Sequence, residues 1–124
     1  MTVVLDTNAL MMPVECNVRV FDELDRLLDG PACLTAQSVV TELEKLADGA
    51  GEEAKAASVG YDLATDRCEI RSTDADYADD AVLELAVDEG AHLLTNDKPL
   101  VDRAHEAGVS VISLRGKNKL GITQ

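Results

Sequence analysis

Four acidic side chains are placed so that together they could hold a divalent metal ion. Asp6 and Asp97 each follow a short apolar run, in VLDTN and LLTNDKPL, and Glu42 and Asp79 lie in amphipathic segments, TELEKL and YADDAVLELA. Carboxylates positioned by buried elements are costly unless a cation receives them. Oxygen ligands suit hard cations such as Mg²⁺ or Mn²⁺, which can activate water against a phosphodiester. The pattern therefore indicates one acidic pocket for such an ion.

The first pair of carboxylates comes at the ends of two predicted strands. In open parallel sheets, ligands bind at the carboxyl ends of the strands, so Asp6 and Asp97 are expected at the same edge. An aspartate after a strand can equally be a turn residue or a helix N-cap, and this alternative stays open. The polar neighbours that could orient the carboxylates or hold metal-bound water are Thr7, Asn8, Thr95 and Asn96.

Helical spacing separates the adjacent acids Asp79 and Asp80. Asp79, Val82, Leu83 and Ala86 follow the i, i+3, i+4, i+7 spacing that predicts a buried stripe, which makes Asp79 the better inward ligand. Asp80 falls on the flank of the same helix, where it could stabilise the helix N-terminus through the dipole. Two acids in a first helical turn without any ligand role are an equally open interpretation.

The interpretation of Glu42 as a metal ligand depends more on the residues around it. It lies one turn from Val39 and Leu46 and so shares part of their inward stripe. The competing interpretation is an exposed glutamate that pairs with Lys45 at i+3 spacing, and on spacing alone that interpretation is the stronger one.

Histidine and cysteine are not arranged for a zinc site. His92 opens a predicted strand, and His105 lies on a predicted solvent-facing helix. Cys16, Cys33 and Cys68 are odd in number, widely spaced and without a CxxC pair, which is typical of reduced, partly buried thiols.

Apolar runs and helical stripes alternate along one predicted domain, residues 1–124. The predicted strands are residues 2–5, 32–35, 68–71 (a short edge strand), 92–95 and 109–114. The predicted helices are residues 17–28, 37–47, 76–89 and 100–107, and residues 48–64 are predicted as a loop with a mobile first half that leads into an Ala-rich helix. Residues 115–124 are predicted as a basic tail. Strands that alternate with helices predict an α/β fold with a mainly parallel sheet and helices on both faces.

The chain is strongly acidic, with 24 acidic against 11 basic residues and a net charge of −13. Such a surface repels polyanions at ordinary ionic strength, which disfavours nucleic acid as a partner. At molar salt the Debye length falls to about 3 Å, and the repulsion is screened. The scattered acids, scarce lysines and small core residues favour a halophilic protein, for which an RNA substrate is not excluded.

Nothing in the sequence predicts a membrane association. No apolar run approaches the roughly 20 residues of a membrane-spanning helix. The chain enters TVVLD without a basic flank or a signal-peptide core, so a cytoplasmic location is expected.

The pieces VVLDTNAL, TELEKL, YADDAVLELA and LLTNDKPL, in this order, resemble the PIN-domain family of metal-dependent ribonucleases. The resemblance implies a three-layer α/β/α fold with strand order 3-2-1-4-5 and one or two Mg²⁺ or Mn²⁺ ions. In family terms Asp6, Glu42, Asp79 and Asp97 would be the catalytic, metal-binding carboxylates. Pro99 stands where an additional acidic or polar residue often follows in the family, which puts a fifth ligand and a second metal in doubt.

Within that family the chain looks similar to a small archaeal group related to the eukaryotic PIN nucleases of small-subunit rRNA processing. The supporting pieces are MMPVECNVRVFDELDRLL, YADD and VISLRGKNKL. The expected function is therefore an endoribonuclease of rRNA or general RNA processing. The expected partners are an RNA substrate and a ribosome-assembly protein, and the basic residues expected to contact the RNA backbone are Arg19, Arg115, Lys117 and Lys119.

Three other functions are weighed against this one. A VapC-type toxin would have an antitoxin as its partner, and a PIN-fold binding module would keep the fold without catalysis. A helix–helix dimer is common in the resembling family, so the resemblance also implies that a homodimer could form, to which the hydrophobic segment Met11, Met12 and Pro13 could contribute. A receiver domain or a haloacid-dehalogenase-type phosphatase is disfavoured, because Thr7 and Asn8 stand where those sites need further acids.

Overall fold

The computed structural model describes residues 1–123, which form one six-stranded sheet and six helices. The sheet order is β3-β2-β1-β4-β5-β6, and every pair is parallel except β5 with β6. The strands are β1 (Thr2–Leu5), β2 (Ala32–Ala36), β3 (Glu69–Arg71), β4 (His92–Leu94), β5 (Val111–Arg115) and β6 (Lys119–Thr123). The helices are α1 (Thr7–Glu15), α2 (Val20–Leu28), α3 (Gln37–Ala47), α4 (Gly51–Arg67), α5 (Ala78–Glu89) and α6 (Lys98–Glu106).

The centre of the sheet explains why the chain adopts this layering. In β1, Val3, Val4 and Leu5 are fully buried, and the strand pairs with β2 on one side and β4 on the other. A strand buried on both faces needs helices on both faces of the sheet, which the alternation of strands and helices supplies. The predicted α/β fold and the predicted order 3-2-1-4-5 are thus confirmed, and a sixth strand extends them.

That sixth strand corrects the prediction of a basic tail. β6 returns antiparallel along β5, with Arg115 opposite Lys119. Helix α2 holds it in place, because Arg26 donates to the carbonyl of Leu120 at 2.8 Å and the N–H of Leu120 donates to Glu23 at 2.9 Å. Residues 119–123 therefore form the edge strand of the sheet instead of a tail.

Helix α1 was not predicted, and its burial corrects a second expectation. Met11 and Met12 are only 5% and 1% exposed, because both side chains lie in the core. They cannot present an apolar surface to another copy of the chain. The segment therefore gives no support to a homodimer, and homodimerisation itself stays a prediction.

Helix α4 contains the predicted Ala-rich helix and extends it over most of the predicted loop. It begins at Gly51, and its first half buries Ala54, Ala56 and Ala57, so the expectation of a mobile segment there is wrong. The helix packs closely on its neighbours: a Cβ atom added at Gly60 would lie 2.8 Å from the carbonyl oxygen of Leu10. Small residues allow this approach.

Other boundaries differ by a few residues. Helix α2 begins at Val20, after Asn17 in a left-handed conformation, and ends at Leu28, before Asp29, which is also left-handed. Helix α5 begins at Ala78, two residues later than predicted, and α6 begins at Lys98, two residues earlier. Among residues 1–123, no helix is both long enough and apolar enough to cross a bilayer.

Candidate metal centre

All four predicted carboxylates line a single cavity of about 610 Å³. Asp6 and Asp97 come from the loops that follow β1 and β4, the two adjacent central strands. Glu42 reaches the cavity from α3, and Asp79 reaches it from the first turn of α5. Residues separated by up to 91 positions in the chain thus meet at the carboxyl edge of the sheet, as strand-end placement predicted.

Asp6 is the buried member of the group, with 3% of its surface exposed. One carboxylate oxygen caps α1 by accepting the N–H of Ala9 at 2.7 Å, and the other accepts the hydroxyl of Thr95. Burial raises the pKa of Asp6 to about 7, although both hydrogen bonds oppose the shift, and the charges of Asp79 and Asp97 raise it further. A nearby cation would favour the charged form.

Asp97 is held by a similar arrangement at the end of β4. Its carboxylate caps α6 by accepting the N–H of Leu100 at 3.1 Å, and its own N–H donates to the hydroxyl oxygen of Thr95 at 3.0 Å. Asp6 and Asp97 each cap the N-terminus of a helix and also line the cavity. The N-cap role and the place at the shared sheet edge, which the sequence left open as alternatives, therefore occur in the same residues.

Asparagines fix the loops around these two aspartates. The side-chain oxygen of Asn8 accepts the N–H of Asn96 at 3.3 Å, and the side-chain oxygen of Asn96 accepts the N–H of Leu114 at 2.9 Å. The loops after β1 and β4 are thus joined to each other and to β5. Neighbouring polar residues orient the strand-end carboxylates through the backbone, as expected.

Glu42 is exposed, and Thr7 holds its side chain. The Thr7 hydroxyl donates to a carboxylate oxygen of Glu42. Among residues 1–123 Lys45 forms no ion pair with Glu42, so the competing interpretation of a surface pair is wrong.

Asp79 and Asp80 separate as predicted, although part of the stripe was wrong. Asp79 lines the cavity, whereas Asp80 accepts from Arg103 at 2.7 Å outside it. Leu83, predicted to be buried, is only half-buried, and Ala81 and Leu85 are buried instead.

The pKa of Asp79 is also raised. Although the residue is exposed along the cavity wall, partial burial of its carboxyl group is the main cause. The negative charges of Asp97 and Glu42 follow as further causes. The carboxylates of the cavity therefore repel one another, and a cation between them would relieve that repulsion.

Two further acids line the cavity and were not predicted there. Glu15 ends α1 and Glu53 lies in the first turn of α4. Helix α1 was not predicted and the first turn of α4 was predicted as a loop, so the correct assignment of these two segments was the missing signal. Lys98 also lines the cavity, but its ammonium group contacts Asp102 at 3.0 Å.

The donor set fits a hard divalent cation. It consists of carboxylate oxygens, and neighbouring carboxylate charges contribute to the raised pKa values of Asp6 and Asp79. Among residues 1–123, no basic side chain forms an ion pair with Asp6, Glu42, Asp79 or Asp97. As the side chains lie, no three His, Cys, Asp or Glu residues among 1–123 are gathered closely enough to hold an ion. Binding therefore requires inward rotation of the exposed Glu42 and Asp79 or contacts through water, which Mg²⁺ commonly retains.

Thiol chemistry has no comparable support. Cys16, Cys33 and Cys68 are all free and half-buried, as predicted. Burial raises the pKa of Cys33 and raises that of Cys68 to about 12, so neither is a thiolate at neutral pH.

Comparison with solved structures supports the same fold. The PIN domain endonuclease Utp24 aligns with a TM-score of 0.79 and 23% identity over 98% of this chain and 90% of that one. VapBC2 from Rickettsia felis, bound to a DNA fragment from its promoter, aligns with a TM-score of 0.68 and 15% identity over 93% of this chain and 100% of that one. A PilT N-terminus domain protein from Sulfolobus solfataricus P2 aligns with a TM-score of 0.58 and 19% identity, over 91% and 87% of the two chains.

Comparison with the sequences of curated proteins gives no match. The sequence profile of the PIN-like domain family, by contrast, matches residues 3–117. That range includes all four carboxylates of the cavity and five of the six strands. The chain therefore belongs to the PIN-like domain family.

Proposed function

We propose that this protein is a metal-dependent endoribonuclease whose Mg²⁺ or Mn²⁺ is held by Asp6, Glu42, Asp79 and Asp97. The observation that carries the proposal is the convergence of these carboxylates on one cavity, where neighbouring negative charges contribute to the raised pKa values of Asp6 and Asp79. A divalent ion bound there would activate water and neutralise charge on an RNA phosphodiester.

The four carboxylates of the acidic cavity would have different roles in holding the ion. Asp6 is fixed on both oxygens and would anchor the ion from the sheet side. Asp97 shares the Thr95 hydroxyl with it and so keeps a constant position relative to Asp6. Glu42 and Asp79, on exposed helix positions, would close around the ion and the attacking water. Thr7 limits that movement through its hydrogen bond to Glu42.

A basic rim supports RNA as the substrate. Arg19 and Lys119 line a separate cavity of about 510 Å³ between α2 and the β5–β6 hairpin. Arg115 lies opposite Lys119 at the carboxyl end of β5, which is the sheet edge that carries the acidic cavity. Lys117 is exposed in the hairpin turn. These residues could contact the backbone on either side of a phosphate in the acidic cavity.

Cleavage of a fluorogenic single-stranded RNA tests the proposal. The assay is run with Mn²⁺ or Mg²⁺ and with EDTA, at low salt and in molar KCl, because the acidic composition suggests a high-salt cytoplasm. Asp6→Asn and Asp97→Asn should lose cleavage and metal-induced thermal stabilisation while they keep the fold. Asp102→Asn, which removes an exposed acid paired with Lys98, is the matched control and should cleave normally. Full activity in both site variants would overturn the proposal.

The biological role divides between RNA processing and a toxin. The similarity to the endonuclease Utp24 supports processing, and the similarity to VapBC2 supports a toxin with an antitoxin partner. We favour processing, because the supporting motifs at both ends of the chain fit that branch. A small DNA-binding protein encoded next to this chain, which copurifies with it and inhibits cleavage, would decide for the toxin. Absence of any heat or thermal shift on Mn²⁺ titration would instead favour a non-catalytic module.

A further inference from the structure

A second polar cavity adjoins the acidic one and has no assigned role. It has a volume of about 540 Å³ and lies between the first half of α3 and the segment 72–78 that leads into α5. Glu42 lines both cavities, so the two cavities share one wall residue. A ligand in the second cavity would therefore lie next to one in the acidic cavity.

Tyr77 gives this cavity an exposed aromatic ring. The chain has only one Phe and two Tyr residues and no Trp. Phe21 is buried beneath Arg67 and Tyr61 is half-buried, whereas Tyr77 is 75% exposed. Tyr77 is the residue before α5, but its side chain makes no capping hydrogen bond. An exposed ring offers a face on which a nucleobase can stack.

The opposite wall supplies hydrogen-bonding groups and one cation. Ser38 Oγ is shielded from solvent and has no hydrogen-bond partner among the described residues. A buried polar group without a partner is costly, and a bound polar ligand would remove that cost. Lys45 lines the same cavity and forms no ion pair within residues 1–123. Glu42 and Asp76 also line the cavity, and their negative charges would repel additional phosphates. The cavity therefore suits one phosphate with its base and ribose better than a run of phosphates.

We propose that this cavity, which we call the Tyr77 cavity, binds one nucleotide of single-stranded RNA next to the phosphate that is cleaved. The base stacks on Tyr77, Lys45 contacts the phosphate, and Ser38 bonds a polar edge of the nucleotide. Stacking also suits so acidic a chain, because phosphate contacts weaken as salt rises whereas stacking on a ring does not depend on counterions. The inference rests on the proposed function for its substrate.

Binding of a short 2′-O-methyl oligonucleotide, which resists hydrolysis, tests the Tyr77 cavity without any cleavage. In a Tyr61→Phe background Tyr77 is the single tyrosine, so quenching of its fluorescence reports stacking directly. Tyr77→Ala should weaken binding by roughly five-fold to a hundredfold, the range expected for one lost base stack. Tyr77→Phe should bind like the parent, and Lys45→Gln should lower the salt slope by about 0.7. Val87→Ala, at an exposed apolar position on α5, is the matched control and should change nothing.

The outcomes separate this inference from the proposed function. Asp97→Asn should bind the oligonucleotide but not cleave RNA, whereas Tyr77→Ala should bind it more weakly. Tyr77-dependent binding by a wild-type protein that never cleaves RNA would overturn the proposed function and leave the subsite standing. Unchanged affinity in Tyr77→Ala would overturn the subsite, as would an equal loss of affinity for a base-paired duplex. The subsite would also be overturned if Tyr77→Ala lost a protein that copurifies with the parent but kept its affinity for RNA. That result would assign the surface to protein docking.

Discussion

The hydroxyl of Thr95 donates a hydrogen bond to the buried carboxylate of Asp6. The same hydroxyl oxygen accepts the backbone N–H of Asp97 at 3.0 Å. One side chain at the end of β4 therefore sets the positions of both strand-end carboxylates. Thr95 is itself fully buried, so its hydroxyl cannot exchange these partners for water.

Replacement of Thr95 by Val should raise the pKa of Asp6 above its value of about 7, because the hydroxyl stabilises the charged form. A hydrogen bond to a charged group contributes about 1.5–3 kcal/mol, so the titration midpoint should rise by about one to two pH units. An NMR titration of the carboxyl carbons of metal-free protein measures it. Thr95→Ser keeps the hydroxyl and should titrate like the parent. An unchanged midpoint in Thr95→Val would mean that the hydroxyl does not control Asp6.

Asp6 should make the metal-free protein less stable as pH rises. Its pKa is about 7 in the folded state against 3.8 as the ordinary value, so the folded state binds the proton more tightly. The free energy of unfolding therefore falls between about pH 4 and pH 7, by at most about 4 kcal/mol, and is flat above.

Asp6→Asn removes this dependence, because asparagine is neutral throughout. In EDTA at about pH 8 the variant should melt at a higher temperature than the parent, and the difference should shrink toward about pH 5. Added Mn²⁺ should reverse the order by stabilising only the parent. Parallel melting curves of the two proteins at every pH would contradict the burial effect.

Asp79 and Asp80 offer a matched pair of substitutions on one helix. Asp79→Asn should lose cleavage and most metal-induced stabilisation, which for a ligand at one hundred times its Kd is about 2.7 kcal/mol. Asp80→Asn loses only an exposed ion pair with Arg103, which contributes about 0–1 kcal/mol, and should keep both properties. Thermal melts with and without Mn²⁺, together with cleavage rates, measure the difference. Equal effects of the two changes would refute the assignment of Asp79.

Gly60→Ala should destabilise the fold without touching the site. The new methyl group would lie 2.8 Å from the carbonyl oxygen of Leu10, so α1 and α4 must move apart. Overpacking of this kind costs about 1–3 kcal/mol. Ser58→Ala, on the exposed side of the same helix, should change stability by less than about 0.5 kcal/mol. Chemical denaturation compares the two, and a stable Gly60→Ala would show that the helices tolerate a wider spacing.

Elements with a clear period could be predicted from the sequence. The bounds of α3 were correct, because Val39, Val40 and Leu43 mark one helical face and all three are buried. Strand β1 was correct, because a short apolar run before Asp6 is typical of a buried parallel strand. The strand order followed from the family resemblance, and the shared edge of Asp6 and Asp97 followed from strand-end placement.

Elements built from weak signals could not be predicted. The start of helix α4 was predicted as a loop, because the buried residues there are alanines, whose small side chains give little contrast between the two faces of a helix. Helix α1 contains Pro13, and β6 contains Gly121, both of which interrupt the usual patterns. These omissions carried over to the site, because Glu15 and Glu53 line the cavity only once α1 and α4 are in place.

The two sides of the acidic cavity differ in their freedom to move. Asp6 is held on both oxygens, whereas Asp79 extends from an exposed position on the first turn of α5. An ion of larger radius should therefore be accommodated by an outward movement of the Asp79 side chain rather than by any change in the sheet. Mg²⁺, Mn²⁺ and Ca²⁺ would then all bind, and they would differ chiefly in how far they leave Asp79 from the water that must be oriented for attack.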